Sequence, residues 1–112
     1  MDVLQGVRVA RHHDRLLREL RLQFPEAVGG HTESSLRELV RVGAEKAAEF
    51  AIIEVDEVVR YVRLLLRFGP GFDADPRLPA AGYLLRQSGK SGPTKLAEVE
   101  AWALSREQSV SP

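Results

Sequence analysis

Between Arg8 and Phe24 the apolar residues Leu16, Leu17, Leu20 and Phe24 recur every three or four positions, the period of an amphipathic helix. Pro25 should stop that helix, because it has no amide hydrogen to continue the ladder. Gly29-Gly30-His31 reads as a loop. Beyond it Thr32 can cap a second helix, or Ser35 and Glu38 can form a capping box one turn later. This second helix has a clear stripe of Leu36, Leu39, Val40, Gly43, Ala44, Ala47 and Ala48. Its later half is built of small residues, which lets a neighbouring helix come close.

A third helix is predicted over about 55–68. Val55, Val58, Val59, Val62, Leu65 and Leu66 face one way, and Tyr61, Leu64 and Phe68 widen the stripe. The valines could belong to a strand, but their spacing is helical and does not alternate. A face this broad marks the most buried helix, with Val58, Val62, Leu65 and Leu66 at its centre. Gly69-Pro70-Gly71 ends it, and 72–76 forms a tight connection in which Phe72 plugs the core. A fourth helix is predicted over about 77–87 with Leu78, Ala81, Leu84 and Leu85 inward, capped by Asp73 or Asp75. Residues 88–92 form a link. Pro93 suits the first turn of a fifth helix capped by Ser91 or Gly92, with Leu96, Val99, Trp102 and Ala103 buried. The pattern predicts an all-α fold, a compact bundle of four to five helices.

A chain of 112 residues suits one core, so 1–112 is read as a single helical domain with 1–6 and 108–112 fraying at its ends. Sixteen basic residues balance sixteen acidic ones, so no overall field draws the chain to nucleic acid or an anionic membrane. The balance is global but locally uneven: residues 25–59 hold eight acids against three bases, and the flanking stretches are basic. The absence of cysteine excludes disulfides and thiolate chemistry. No apolar run approaches the roughly 20 residues of a membrane-spanning helix. The start, Met1 to Gly6, lacks the basic and apolar segments of a signal peptide, so a cytoplasmic protein without membrane contact is expected.

Several residues invite a chemical reading. Gly89-Lys90-Ser91 ends like a phosphate-binding loop, but the glycine that such a loop needs five positions earlier is Leu84. Asp73 and Asp75 have calcium-loop spacing, yet the fifth and twelfth positions from Asp73 are Arg77 and Leu84. His12 and His13 are adjacent and would diverge on a helix, and His31 lies in another segment. No nucleophile signature is present, so no catalytic residue, metal site, cofactor or small-molecule ligand is expected. Arg8, Arg11, Arg15 and Arg18 line the first helix, and Arg60, Arg63 and Arg67 line the third; such rows can grip phosphates. They can equally serve pairs of opposite charge four residues apart, such as Asp14 with Arg18, Asp56 with Arg60, or Arg41 with Glu45.

Arg60-Tyr61, Phe68-Gly69-Pro70, Phe72-Asp73, Asp75-Pro76 and Leu78-Pro79 together form a recognisable pattern. Upstream, Phe24-Pro25, Leu36, Leu39-Val40, Gly43, Ala47, Phe50 and Ile52 extend it. The chain thus resembles a loose group of small helical bacterial proteins encoded beside type VI secretion and polymorphic-toxin loci. The similarity spans about 16–85 and is sharpest over 68–79. Ala80 stands where that group usually has Trp, and Ala51 where it often has Gly. The resemblance implies a non-enzymatic accessory protein: an adaptor, chaperone or neutralising partner of a secreted effector or toxin polypeptide. Phe68, Gly69, Pro70, Phe72, Asp73, Asp75, Pro76 and Pro79 are then the motif, structural or partner-binding, and Tyr61 and Tyr83 are candidate anchors. A nucleic-acid-binding regulator using the arginine-lined helices is the alternative.

Overall fold

The computed structural model describes residues 2–110, with side chains from position 12 to 106. The expected fraying of 1–6 and 108–112 falls on residues whose side chains lie outside that range. Among the described residues there are six α-helices and no strand: α1 (Asp2–Gln23), α2 (Pro25–Val28), α3 (Glu33–Glu49), α4 (Val55–Phe68), α5 (Pro79–Leu85) and α6 (Gly92–Val110). A 3₁₀ turn spans Phe72–Ala74.

α1, α3 and α4 pack against one another, and α4 is the shared element. Leu16, Leu17 and Leu20 from α1, Leu36, Val40 and Ala47 from α3, and Val58, Val59, Val62 and Leu65 from α4 are all buried. α3 and α4 approach most closely at Gly43, where a Cβ would sit 2.6 Å from a Val62 methyl. Gly43, Ala44 and Ala47 of the small half of the α3 stripe thus lie inward as their spacing predicts, whereas Ala48 at its edge is exposed. Leu66 departs from expectation: it is half-buried beside α2 rather than central. α6 packs on α4 and on α5, and α5 packs in turn on the 3₁₀ turn.

The helix ends follow local chemistry. Thr32 caps α3 by accepting a hydrogen bond from the Ser35 amide at 3.1 Å. α3 closes with Ala51 N donating to Ala48 O (3.1 Å) and Ile52 N to Ala47 O (2.9 Å), the paired bonds of a Schellman motif. Ala51 takes the left-handed position of that motif at φ 64°. Pro25 does end α1, but it also starts the single turn of α2, where its missing amide hydrogen costs nothing. Ser91 caps α6 by accepting from Thr94 N at 3.3 Å.

The fourth predicted helix is shorter than its pattern suggests, Pro79–Leu85 in place of 77–87. Asp75 Oδ1 takes the Arg77 amide at 2.9 Å, and Leu78 N bonds Asp75 O at 2.9 Å, so the chain is still turning at these positions. Neither aspartate caps α5. Its N-cap residue is Leu78, and Pro79 opens the helix.

Candidate functional site: the 68–79 segment and the outer face of α5

Gly69, at φ 98°, lets the chain leave α4 sharply, with its amide bonded to Leu65 O at 2.8 Å. Phe72 then drops fully into the core. Its ring lies 5.7 Å from Tyr61 and 6.0 Å from Phe68. The series continues to Phe50, 6.2 Å from Tyr61, and to Trp102, 5.2 Å from Phe68. Tilted rings at these separations fit the favourable geometry of aromatic pairs. The motif thereby joins the end of α3, the length of α4 and the middle of α6.

Asp73, the residue after the Phe72 plug, is only 3% exposed, which requires compensation for its charge. Two cations supply it. Lys46 Nζ from α3 stands 3.2 Å from Oδ2, and Arg86 Nη2, just past α5, stands 3.0 Å from the same atom. Arg86 Nη1 also donates to the Asp73 carbonyl oxygen at 2.7 Å. Both cations lie near the Phe50 ring, at 5.9 and 5.7 Å from its centre. Gly82 makes this approach possible: a Cβ there would overlap both the Asp73 carbonyl oxygen and the Arg86 guanidinium. Asp75, by contrast, engages Arg77 through its backbone amide and its guanidinium, the latter at 3.0 Å. That pairing holds the Asp75 carboxyl below its ordinary range.

Tyr61 is completely buried, so it is not a surface anchor as its sequence position allowed. It lies one turn after Val58 and one before Leu65, on the core stripe itself. Its hydroxyl has no protein hydrogen-bond partner. Burial, reinforced by the charges of Asp73 and Glu49, pushes its phenol well above the usual range. Tyr83 is the opposite case. It stands 69% exposed on α5, over an open groove bordered by Asp75, Pro76, Pro79 and Arg86. Pro70, Pro76 and Pro79 are exposed, and Ala80 is half-buried.

The other sequence candidates resolve into structural roles. Lys90 pairs with Glu98 at 2.8 Å and Ser91 caps α6, so both side chains of the Gly-Lys-Ser tripeptide are engaged. His12 and His13 lie 6.1 Å apart, and His13 is pushed down by burial and by His12, while His31 sits in an exposed loop. Among the described residues no three His, Asp or Glu side chains gather to hold a metal ion. No described helix is long and apolar enough to cross a membrane.

Arg8 and Arg11 carry side chains outside the described residues. Arg15 and Arg18 are exposed on α1. Asp14 pairs with Arg37 of α3 at 2.6 Å rather than with Arg18, and Arg60 grips Glu100 of α6 through two contacts, one at 2.9 Å, rather than Asp56. Interhelical partners were closer than the local ones that the spacing suggested. Arg41 does meet Glu45, at 3.0 Å. Arg63 stacks on Phe24 with 4.6 Å to the ring centre, and Arg67 on Phe68 with 5.2 Å.

What the sequence did not single out is Lys46 and Arg86, which lie 40 residues apart and converge on Asp73. The cue available was an Asp directly after the core-bound Phe72, but nothing local names its partners. Comparison with protein-family models, with curated proteins and with solved structures yields no match to this chain. Fold and site together define a small all-α bundle whose 68–79 segment is clamped through a buried carboxylate, with Tyr83 of α5 exposed beside it.

Proposed function

We propose that this chain is a non-enzymatic protein-interaction module, serving as adaptor, chaperone or neutralising partner to a secreted effector or toxin polypeptide. The observation that carries the reading is Tyr83, a large aromatic side chain held open to solvent above a groove bordered by motif residues. Tyrosines of this kind concentrate binding energy in protein interfaces, because a rigid ring offers much area for little lost entropy. The double grip of Arg86 on Asp73 holds the segment beneath Tyr83 in one conformation, which lowers the cost of docking. The α4 arginines are each engaged with a glutamate or an aromatic ring, which weighs against a row of free phosphate-binding groups.

The test is a pull-down with the products of neighbouring genes, using wild type and Tyr83→Ala at low and high salt, beside a titration with duplex DNA. Capture of one such product that tolerates salt and weakens at least tenfold in Tyr83→Ala supports the reading. Steeply salt-sensitive DNA binding with no protein partner overturns it in favour of a nucleic-acid regulator.

A further inference from the structure

Two surface patches of opposite charge each surround one bare aliphatic side chain. On the outer side of α1, Arg15, Arg18 and Leu22 follow at spacings of three and four, so they share one face. All three are exposed, Leu22 at 70%. The acids nearest in sequence are engaged elsewhere: Asp14 pairs with Arg37, and Glu19 accepts from Gln23. Neither Arg15 nor Arg18 has an ion pair or hydrogen bond among the described residues. Past the end of α3, Ile53 is 65% exposed and leads into Glu54 and Asp56, both exposed as well. Arg60, the cation one turn beyond Asp56, is committed to Glu100. The α4 dipole favours acids in the helix's first turn and so accounts for Asp56, but it does not account for a bare isoleucine beside them.

The two patches cannot meet within one molecule. Arg21 of α1 pairs with Glu33 at the start of α3, which sets Leu22 level with that start, whereas Ile53 follows the opposite end. The 17 residues of α3 put about 25 Å between them. The chain as a whole is neutral, with 16 bases against 16 acids, so copies approach without net repulsion while these local charges stay unmatched.

We infer that copies of this chain associate head to tail, with Arg15, Arg18 and Leu22 of one copy seated on Ile53, Glu54 and Asp56 of the next. Charge complementarity selects a second copy as the occupant: each patch sets one aliphatic side chain beside charge of one sign, and each supplies what the other lacks. A nucleic-acid backbone suits the arginines but places nothing on Leu22 and leaves the acidic corner bare. Because the two patches differ, the contact does not close on itself as a twofold dimer does, and its repetition builds open chains. Tyr83 lies in neither patch, so the inference stands apart from the effector-partner reading.

The experiment is sedimentation velocity of the full chain over a concentration series. Wild type gains mass with concentration at low salt and reverts to monomer at high salt, where exposed charges are screened. Two variants each lose one face: the first combines Arg15→Ser, Arg18→Ser and Leu22→Ser, the second Ile53→Ser, Glu54→Ser and Asp56→Ser. Either alone stays monomeric. Their equimolar mixture forms a species of twice the monomer mass and nothing larger, because the intact corner of the first seats the intact α1 face of the second. Circular dichroism monitors folding, and the single changes Leu22→Ser and Ile53→Ser replace any variant that loses helix content. A wild type that stays monomeric at low salt, continued assembly by either variant, or a mixture that remains monomeric overturns the inference. Duplex DNA that binds through Arg15 and Arg18 and dissolves the assembly overturns it as well.

Discussion

Arg86 holds Asp73 at two places at once, its carboxylate at 3.0 Å and its own backbone carbonyl at 2.7 Å. One side chain thereby fixes both the position and the backbone orientation of the 3₁₀ turn. Asp73→Ala strips the central anion and leaves Lys46 and Arg86 to repel each other. Both cations are partly exposed, at 32% and 51%, so water recovers part of the loss. The expected cost is about 1–3 kcal/mol in urea unfolding, below the figure for a wholly buried pair. A loss near zero would mean that the clamp is ornamental to the fold.

Tyr61 gives a pH signature. Its folded phenol titrates above its ordinary value of 10.0, so above pH ~10 the unfolded chain gives up this proton before the native one does. Fewer protons on the unfolded state mean that stability falls with rising pH. The contribution is complete below about pH 10 and is lost as pH climbs toward the folded value. Tyr61→Phe should flatten that alkaline decline in a series of denaturant titrations. Identical slopes for the two proteins would contradict the assignment.

Ala51 sits at φ 64°, where an L-residue with a Cβ is disfavoured by about 1–2 kcal/mol. Glycine relieves that strain and gives back part of the gain through its more flexible unfolded chain. Ala51→Gly should therefore raise stability by about 0.5–1 kcal/mol, read as a higher midpoint at unchanged m-value. The left-handed position that closes a Schellman motif is the one most often held by glycine.

Two leucines separate core from surface. Leu65 is 1% exposed, and Leu65→Ala should cost about 2–5 kcal/mol through lost transfer energy and a cavity. Leu104→Ala, on the open side of α6, should stay within about 0.5 kcal/mol. Comparable losses at the two positions would mean that Leu104 is covered as Leu65 is.

The sequence was most readable where periodicity was strong and local. The α4 pattern located that helix from Val55 to Phe68 because apolar spacing alone fixes which face turns inward. Phe72 was legible for a similar reason: a lone aromatic in a polar, Gly/Pro-rich turn has little else to do but dock. Tyr61 was offered both as part of the widened α4 stripe and as a candidate anchor, and its register among Val58, Val62 and Leu65 decides for the core. Asp73 was read as a cap because acids near helix starts usually are. Its actual partners come from α3 and from beyond α5, and no window of neighbouring residues contains them. The same holds for Arg60, whose partner Glu100 lies 40 positions away and outcompetes the i, i+4 aspartate.

The start of α6 has a consequence for how the chain is made. Gly92 lies directly against the Ala51 carbonyl, where any Cβ would overlap it, and Leu96, Val99 and Trp102 follow onto α4 and its aromatic series. On the ribosome, α1, α3 and α4 precede α6 and can associate, but the Phe68 ring lacks its Trp102 neighbour until α6 has emerged. The nascent chain thus carries an adhesive side until α6 folds back onto it.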